Sequence, residues 1–286
     1  MNLVSTRRWP DLAPWWCLTG AWLTLALPTF WSFEFGQWSN FSQGHEPALL
    51  AVVAWLLWRQ REALQALPDV RTSPWAVSSL VLGLLGYAFG RTQEFIRIEL
   101  LSVWWVALNL LLLTKGAAAL RRTWFIWLFA LFMVPLPFSV VLALTAPLKT
   151  AVSAVATWLL EGVGYPVGRA GVVITVGQYQ LLVAEACAGL QSMFVLEAMG
   201  LLYSYLVNHR SWLRNGLLAA CAVPVSFAAN VVRVMILVLV TYHLGDAAGQ
   251  GFIHQFAGLV LFGVALAMMA GVDALLGVLL PARHRA

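Results

Sequence analysis

The chain is a series of long apolar stretches separated by short polar or basic breaks. Eight stretches are candidate helices, and all but the second, which is too short to span unaided, approach or exceed the roughly 20 apolar residues that a helix needs to cross a bilayer. They lie near residues 14–33, 47–58, 75–90, 99–114, 123–143, 181–207, 213–242 and 253–280. Tryptophan and tyrosine side chains gather at the ends of these stretches, as is typical of membrane–water interfaces. The pattern predicts an all-α, polytopic membrane bundle of about eight helices, formed by residues 1–286 as one domain.

The longest break, residues 144–180, has a pattern of its own. Residues 145–160 have helical spacing with a mixed polar and apolar face, which predicts a helix lying along the membrane surface. Residues 171–180 are rich in β-branched side chains and bounded by glycine, which predicts an extended segment and a short hairpin. Elsewhere, Pro135 and Pro137 predict a kink in the fifth helix. The spacing of Gly86-x-x-x-Gly90 predicts close contact between helices.

The composition supports a membrane protein. Hydrophobic residues make up 61% of the chain and charged residues only 10%, and the mean hydropathy is +0.82. A soluble domain is about 45–50% apolar and about 25% charged, so this chain has too few polar groups to cover a surface in water. The net charge of +5 therefore does not indicate a nucleic-acid partner. Cys17 and Cys221 have apolar neighbours and are expected to be small hydrophobic residues without a disulfide framework.

The basic residues predict an orientation. Most of the 17 lysines and arginines fall at the two termini and in alternate breaks. These are Arg7, Arg8, Arg59, Arg61, Arg71, Lys115, Arg121, Arg122, Arg210, Arg214, Arg283 and Arg285. Cytoplasmic loops carry the excess of positive charge, so we expect both termini in the cytoplasm. The breaks at 34–46, 91–98, 144–180 and 243–252 then face outward.

Polar groups with potential chemistry concentrate in the segment Val183–Met193. In a helix, Gln191 would share a face with Cys187 four residues earlier, and Gly189 would leave room for a substrate backbone. Glu185 would point to the opposite side, so it is expected to orient the helix rather than activate the thiol. The local context leaves two interpretations of Cys187 open, a buried hydrophobic residue or a nucleophile.

Arg233 lies inside an apolar helix, where an arginine costs at least about 2.5–3.5 kcal/mol and must face a partner or a wet cavity. Asn230, three residues earlier, shares its face. One interpretation is a structural ion pair with Glu185, Glu197 or Asp273. The other is a binding group for a carboxylate or an oxyanion, since the guanidinium keeps its charge at any physiological pH.

His254 is predicted to open the last helix on the outward side. A cysteine peptidase or transferase needs a base to form the thiolate and an acid to protonate the leaving amine, and histidine does both near neutral pH. His45 and His243 are also on the outward side and are rivals for this role or for substrate binding. The chain has no His-Glu-x-x-His sequence, no cysteines at metal-ligand spacing and no phosphate-binding loop. We therefore expect neither a metal nor a cofactor.

Several short motifs resemble those of the exosortase/archaeosortase family. The core motifs are Ala186-Cys-Ala-Gly-Leu190, Asn230-Val-Val-Arg233 and His254 on the next helix. Four further stretches resemble the exosortase B subgroup: Gly164-Tyr-Pro-Val-Gly-Arg169, Gly177-Gln-Tyr-Gln-Leu-Leu-Val183, Thr241-Tyr-His-Leu-Gly-Asp246 and Gly249-Gln-Gly-Phe-Ile-His254. The resemblance covers about residues 38–265. In one place the chain departs from the family pattern, having His45-Glu46 where many members have His-Gly.

The resemblance implies a multipass cysteine transpeptidase of the bacterial inner membrane, with its active site facing the periplasm. Its substrates would be proteins with a C-terminal Pro-Glu-Pro sorting signal, a membrane helix and a basic tail, and members commonly accompany exopolysaccharide production. By motif, Cys187 would be the nucleophile, Arg233 the oxyanion or substrate-binding group, and His254 the acid/base.

We therefore expect attack of Cys187 on a peptide carbonyl, a thioester intermediate, and its resolution by water or an unidentified acceptor amine. Membrane lipid is the other expected partner. The alternative is a membrane transporter or assembly subunit, with Arg233 and Glu185 as a structural or translocation site.

Overall fold

A computed structural model describes residues 13–39, 45–70, 73–182, 191–207, 209 and 211–279. Contacts divide the chain into two compact units, Met1–Leu136 and Pro137–Ala286. The first unit contains α1 (Ala13–Glu34), α2 (Glu46–Arg59), α3 (Arg61–Gln65), α4 (Pro74–Thr92), α5 (Ile96–Ala130) and a 3₁₀ turn at Leu131–Met133. The second contains α6 (Phe138–Gly162), β1 (Val167–Ala170), β2 (Val173–Val176), β3 (Tyr179–Leu182), α7 (Gln191–Val207), α8 (Trp212–Leu244) and α9 (Asp246–Leu279).

Four of the described helical segments are long and apolar enough to cross a membrane. They are Ile96–Met133, Ser139–Gly162, Trp212–Leu244 and Val260–Leu279. The helical membrane architecture predicted from the sequence is confirmed at this level. The count of eight spans stays a prediction.

Helix α5 is a hairpin of two helical arms. Its backbone leaves the helical region at Gly116, with φ 74° and ψ −172°. The indole N–H of Trp104, before the break, donates to the carbonyl of Trp127, after it, at 3.0 Å. The predicted break between the fourth and fifth helices is confirmed at Gly116, but the predicted start of the fifth helix at 123 is wrong, because the helix resumes directly after this glycine. Glycine is required at this turn because a Cβ there would lie 2.8 Å from Val70 Cγ2 and would also strain the positive φ.

The predicted fifth helix, 123–143, is wrong beyond Met133. The chain is extended at Val134, and α6 begins only at Phe138. Pro135 disfavours helical geometry in the residue before it, and neither it nor Pro137 can donate a helical hydrogen bond, so the helix ends instead of kinking. Helix α6 consequently starts earlier than the predicted surface helix at 145–160. It is long enough to cross a membrane, so a surface location stays a prediction.

The predicted hairpin is a three-stranded antiparallel sheet in the order β1-β2-β3. Gly171 and Gly177 make its two turns with φ of 63° and 56°, values that favour glycine. Leu181 and Leu182 pair with β2 as part of β3. The predicted start of the sixth helix at residue 181 is therefore wrong, and helix is described only from Gln191.

A row of glycines brings α4 against α5. A Cβ on Gly83 would lie 2.8 Å from Trp105 Cδ1, one on Gly86 2.7 Å from Ser102 Oγ, and one on Gly90 2.7 Å from the Glu99 backbone nitrogen. Small residues allow this approach because they remove the side chains that would hold two helices apart. The contact predicted from Gly86-x-x-x-Gly90 is confirmed.

A buried carboxylate joins three helices at one end of the first unit. Glu99 is 2% exposed and its Oε1 accepts from Thr29 Oγ1 at 2.6 Å and from Arg91 Nη1 at 2.9 Å. These donors come from α1 and α4, while Glu99 belongs to α5. A buried charge is tolerated only with such partners, so the cluster fixes how the three helices meet.

Helices α8 and α9 form an antiparallel hairpin joined by Gly245 alone, which has φ 86°. The prediction of a loop at 243–252 is therefore wrong, and His254 does not open the last helix; the outward orientation of this end stays a prediction. Helix α9 begins at Asp246, eight residues earlier, where an acidic side chain favours the helix N-terminus. The single glycine fixes the register. A Cβ on Gly249 would lie 2.4 Å from Thr241 Oγ1, and these residues are equally far from Gly245 along the chain.

At the other end of this hairpin, Asp273 of α9 holds α8 and the preceding loop. Its Oδ1 accepts from Arg214 Nη2 at 2.6 Å and lies 2.6 Å from His209 Nε2. Its Oδ2 accepts from Tyr203 OH at 3.3 Å. The same guanidinium also donates to the Asp273 carbonyl at 2.8 Å, so both ends of the α8–α9 hairpin have a defined register.

Replacing Gly90 with alanine is expected to lower the free energy of unfolding by about 1–3 kcal/mol, because the added methyl meets α5 backbone rather than a movable side chain. Thermal unfolding of the full chain in detergent measures the effect. Gly20→Ala is the matched control, since nothing lies within 4 Å of a Cβ at Gly20. Equal melting temperatures for the two variants would contradict the close α4–α5 contact.

Replacing Asp273 with alanine is expected to destabilise the chain by about 1–3 kcal/mol, because it leaves the half-buried Arg214 guanidinium without its carboxylate. The double variant Arg214→Leu/Asp273→Leu should recover part of that loss, since the guanidinium is removed together with its carboxylate. Unfolding in detergent compares the two with Glu161→Ala, an exposed carboxylate. A double variant no more stable than the single one would contradict this account.

Candidate functional site

Helix α8 carries a buried polar stripe along an otherwise apolar helix. Ser226, Asn230, Arg233 and Thr241 follow one another at intervals of four, three and eight residues, which places them on one face. Asn230 is 2%, Arg233 7% and Thr241 0% exposed. The pairing of Asn230 and Arg233 on one helix face, predicted from their spacing, is the centre of this stripe.

The stripe lies in a seam between two packed faces of α8. On one side Val231, Val234 and Val238 form a core with α6 and with Ile174 and Val176 of the sheet. On the other side Leu218, Val225 and Ala229 form a core with Leu196 of α7 and with Leu261 and Ala265 of α9. Because successive helical residues turn by about 100°, the polar stripe falls between these faces. It is therefore enclosed by protein rather than turned to lipid.

The first residue of α7 lies at about the same position along the α8 axis as Arg233, which is what we mean by its level. A Cβ on Gly200 of α7 would lie 2.6 Å from Ala222 Cβ of α8, and Ser204 Oγ donates to the Asn215 carbonyl. The two helices are thus antiparallel neighbours. Counting back from Gly200, Gln191 lies at about the level of Val231, half a turn from Arg233.

One structural interpretation of Arg233 is excluded. Asp273 is bound by Arg214, and Arg233 lies 19 residues further along α8, or about 28 Å at the rise of an α-helix. An ion pair between Arg233 and Asp273 is therefore impossible. Glu197 of α7 lies about two turns from Arg233 by the same register, and Glu185 lies outside the described residues.

His254 is close to Arg233 in level. It follows Gly245 by nine residues, so the hairpin register puts its backbone opposite Ile236. That is three residues from Arg233, or about 4–5 Å along the helix axis. His254 thus belongs to the third turn of α9, rather than to the exposed start of the helix.

His243 is part of an aromatic cluster at the end of α8. Its Nε2 lies 3.2 Å from Tyr165 OH, and its ring contacts those of Tyr165 and Tyr242 edge to face. The side chain is exposed, and it lies ten residues, or about 15 Å, beyond Arg233. This cluster joins the segment before β1 to α8, so His243 and Arg233 are not parts of one compact site.

The remaining predicted site residues divide into two groups. His45 directly precedes α2 in the first unit and is half-buried beside Glu46, which is 3% exposed. Cys187 and Gly189 lie, with Glu185, outside the described residues, and Gln191 is described only as the first residue of α7. Among the described residues, no group of three or more histidine, cysteine, aspartate or glutamate side chains could hold a metal ion.

Sequence reasoning missed Ser226, Thr241 and the Tyr165–His243 contact. The first two could have been found, because they share the spacing of Asn230 and Arg233 on α8. The third could not, since nothing in the local sequence joins residues 78 positions apart.

Comparison with known protein families gives a match over most of the chain. The family described as "Transmembrane exosortase (Exosortase_EpsH)" matches residues 37–271, which is most of the 286-residue chain. No curated protein and no solved structure matches the chain. The matched region includes the α8 stripe and the hairpin that carries His254, and it agrees with the motifs found in the sequence. The chain therefore belongs to the transmembrane exosortase family.

Proposed function

We propose that this chain is a membrane-embedded cysteine transpeptidase or protease that cleaves the C-terminal sorting signals of exported proteins. The observation that carries the proposal is the buried Asn230–Arg233 pair in the α8 seam, at the level where α7 begins. Family membership supports a peptidase or transpeptidase in general.

The nucleophile is Cys187. Residues 183–190 join β3, which packs against the end of α8, to α7, which begins near the level of Arg233. Cys187 is four residues from Gln191, and a chain spans at most about 3.3–3.6 Å per residue. Its Cα is thus within about 14 Å of the Gln191 Cα in any conformation. This proximity favours a thiol that shares a site with Arg233, and Gln191, Gly189 and Glu185 would support it.

Arg233 stabilises the oxyanion. The Cys187 thiolate attacks a peptide carbonyl carbon, and the carbonyl oxygen takes the negative charge of the tetrahedral intermediate. A guanidinium held in a protein-enclosed seam is worth more to that charge than one in water, and it needs no reorganisation during the reaction. Asn230, on the same face, would hold the guanidinium or the substrate amide.

His254 is the acid/base. It accepts the thiol proton as Cys187 attacks and delivers a proton to the departing amine as the C–N bond breaks, leaving a thioester. Water or an acceptor amine then attacks the thioester and returns the thiol. The level of His254, about one turn from Arg233, suits this role better than that of His243, about 15 Å away. His45 and His243 are assigned to substrate binding.

The substrates we propose carry Pro-Glu-Pro, a membrane helix and a basic tail, and the reaction accompanies exopolysaccharide production at the bacterial inner membrane. The distribution of charge supports an outward site within the second unit. Arg214 lies at the opposite end of α8 from Gly245 and the sheet. Basic ends face the cytoplasm, so the sheet and the start of α7 would face the periplasm.

Replacing Cys187 with alanine is expected to abolish processing, because no thioester can form. The measurement is the membrane-anchored, full-length fraction of a substrate with a C-terminal sorting signal. Cys221→Ala is the matched control, since Cys221 is a half-buried cysteine of α8 outside the polar stripe. Normal processing by the Cys187 variant would show that the thiol is not the nucleophile.

A thiol-selective reagent added from the periplasmic side should also label Cys187 faster than Cys17 or Cys221. Equal labelling would favour a transporter or assembly subunit.

Replacing His254 with glutamine is expected to reduce processing by about 10²–10⁴-fold, the usual contribution of a general acid/base. His243→Gln should retain activity within a few-fold, because its distance from Arg233 allows substrate binding but not proton transfer at the same carbonyl. Initial rates of substrate cleavage in membranes compare the two variants. The reverse order of losses would reassign the acid/base to His243.

A further inference from the structure

The first unit contains a long apolar cavity that the proposed chemistry does not use. Its volume is about 320 Å³, and its walls come from α1, α2, both arms of α5 and the 3₁₀ turn. We call it the unit-1 cavity. We propose that it holds one acyl chain of an anionic phospholipid, with the headgroup at the end formed by Leu57 and Leu111.

Among the described residues that line the unit-1 cavity, the polar side chains are those of Thr19 and three tryptophans. Its three tryptophans have indole N–H groups that are already used inside the protein. Trp22 donates to the Val103 carbonyl at 3.0 Å, Trp104 to the Trp127 carbonyl at 3.0 Å, and Trp127 to Thr123 Oγ1 at 2.9 Å. The described lining is therefore mostly apolar, and apolar cavities exclude water and accept hydrocarbon.

The shape of the cavity matches a single chain. Along α1 it extends from Leu18 to Phe30 and along α5 from Leu100 to Leu111, a length of about 17–18 Å at the helical rise. Half of a hydrocarbon core of about 30 Å is about 15 Å, the depth available to a chain from one leaflet. The cavity therefore runs parallel to the helices for about the thickness of one leaflet.

Charge sets the direction of the chain and the class of headgroup. Arg59 follows Leu57 by two residues, and Arg61 follows Arg59. Both guanidiniums lie over tryptophan rings, at 5.5 Å from the Trp55 centroid and 4.0 Å from the Trp58 centroid. Beyond Leu111 lies Lys115, which is paired with Asp69 at 2.7 Å. Basic side chains beside an interfacial tryptophan attract anionic lipid headgroups.

The opposite end of the unit-1 cavity has a different charge. Glu34 lies one turn beyond Phe30, and the buried Glu99 directly precedes Leu100. Arg91 neutralises Glu99. An anionic headgroup is therefore favoured at the Leu57–Leu111 end.

Photo-crosslinking tests the proposal on the full chain reconstituted in vesicles. The probes are phosphatidylglycerol and phosphatidylcholine, each with a diazirine in one acyl chain, and peptide mass spectrometry locates the label. We expect label on residues 50–57 and 100–111, with the phosphatidylglycerol probe favoured about fivefold per arginine that contacts its headgroup. Arg59→Glu/Arg61→Glu should remove that preference.

Two filling variants test the cavity itself. Ala107→Phe and Ala130→Phe, which place a ring in the cavity from different arms of α5, should each reduce this label roughly tenfold by displacing two or more methylenes. Ala118→Phe is the matched control, because Ala118 is an exposed residue of α5 outside the cavity. Circular dichroism and gel filtration verify folding, and the two-headgroup comparison on the unaltered chain needs no variant.

Three results would overturn the proposal. Equal labelling in Ala107→Phe, Ala130→Phe and Ala118→Phe would mean that the label comes from bulk lipid. Equal labelling by the two headgroups would remove the anionic lipid as the occupant. Labelling that appears only after residues 1–12 are deleted would show that the chain itself fills the cavity.

Discussion

A guanidinium inside an apolar helix is the constraint on which the second unit depends. Arg233 can be buried only where protein, not hydrocarbon, surrounds it. Helix α8 meets this requirement by packing valines against α6 and the sheet on one side and leucine, valine and alanine against α7 and α9 on the other. The polar stripe lies between. The sheet therefore contributes to the burial of Arg233, because it forms part of one wall of the seam around this side chain.

The one-residue turn between α8 and α9 determines how these two helices are aligned along their axes. A single glycine between two long helices fixes which residues of α8 lie opposite which residues of α9. The close approach of Gly249 to Thr241 shows that the two helices are already in contact in the first turn after Gly245. At the far end, Arg214 and Asp273 hold the same register with hydrogen bonds to side chain and backbone. Because the register of α8 and α9 is fixed at both ends of the hairpin, the α8 residue opposite any residue of α9, including His254, can be counted from Gly245.

The sequence predicted the helices that follow from the periodic burial of apolar residues. It failed where an apolar stretch contains a residue that cannot continue a helix or that suits a strand equally well. Apolar runs located most helices within a few residues, and the spacing of Asn230 and Arg233 gave their common face. Hydropathy alone extended the fifth helix through Pro135, since prolines are apolar but cannot continue the hydrogen bonds. It also extended the sixth helix into β3, because Leu181 and Leu182 suit either structure. The roles of Cys187 and His254 stay predictions from motif and chain position.

The wrong prediction of a loop at 243–252 affects the proposed chemistry, because it changes the position of His254 along the helix. Glycines and Asp246 in that stretch lowered the hydropathy, so it resembled a loop, yet Gly245 alone makes the turn. Asp246 then starts a helix because its carboxylate favours the free N–H groups there. Moving the helix start by seven residues, from 253 to Asp246, moves His254 from the start of the helix to a position opposite Ile236. A histidine at the mouth would stand beside His243, at the aromatic cluster. One placed near Arg233 is separated from that cluster by about two turns, so the corrected turn is what distinguishes the two histidines physically.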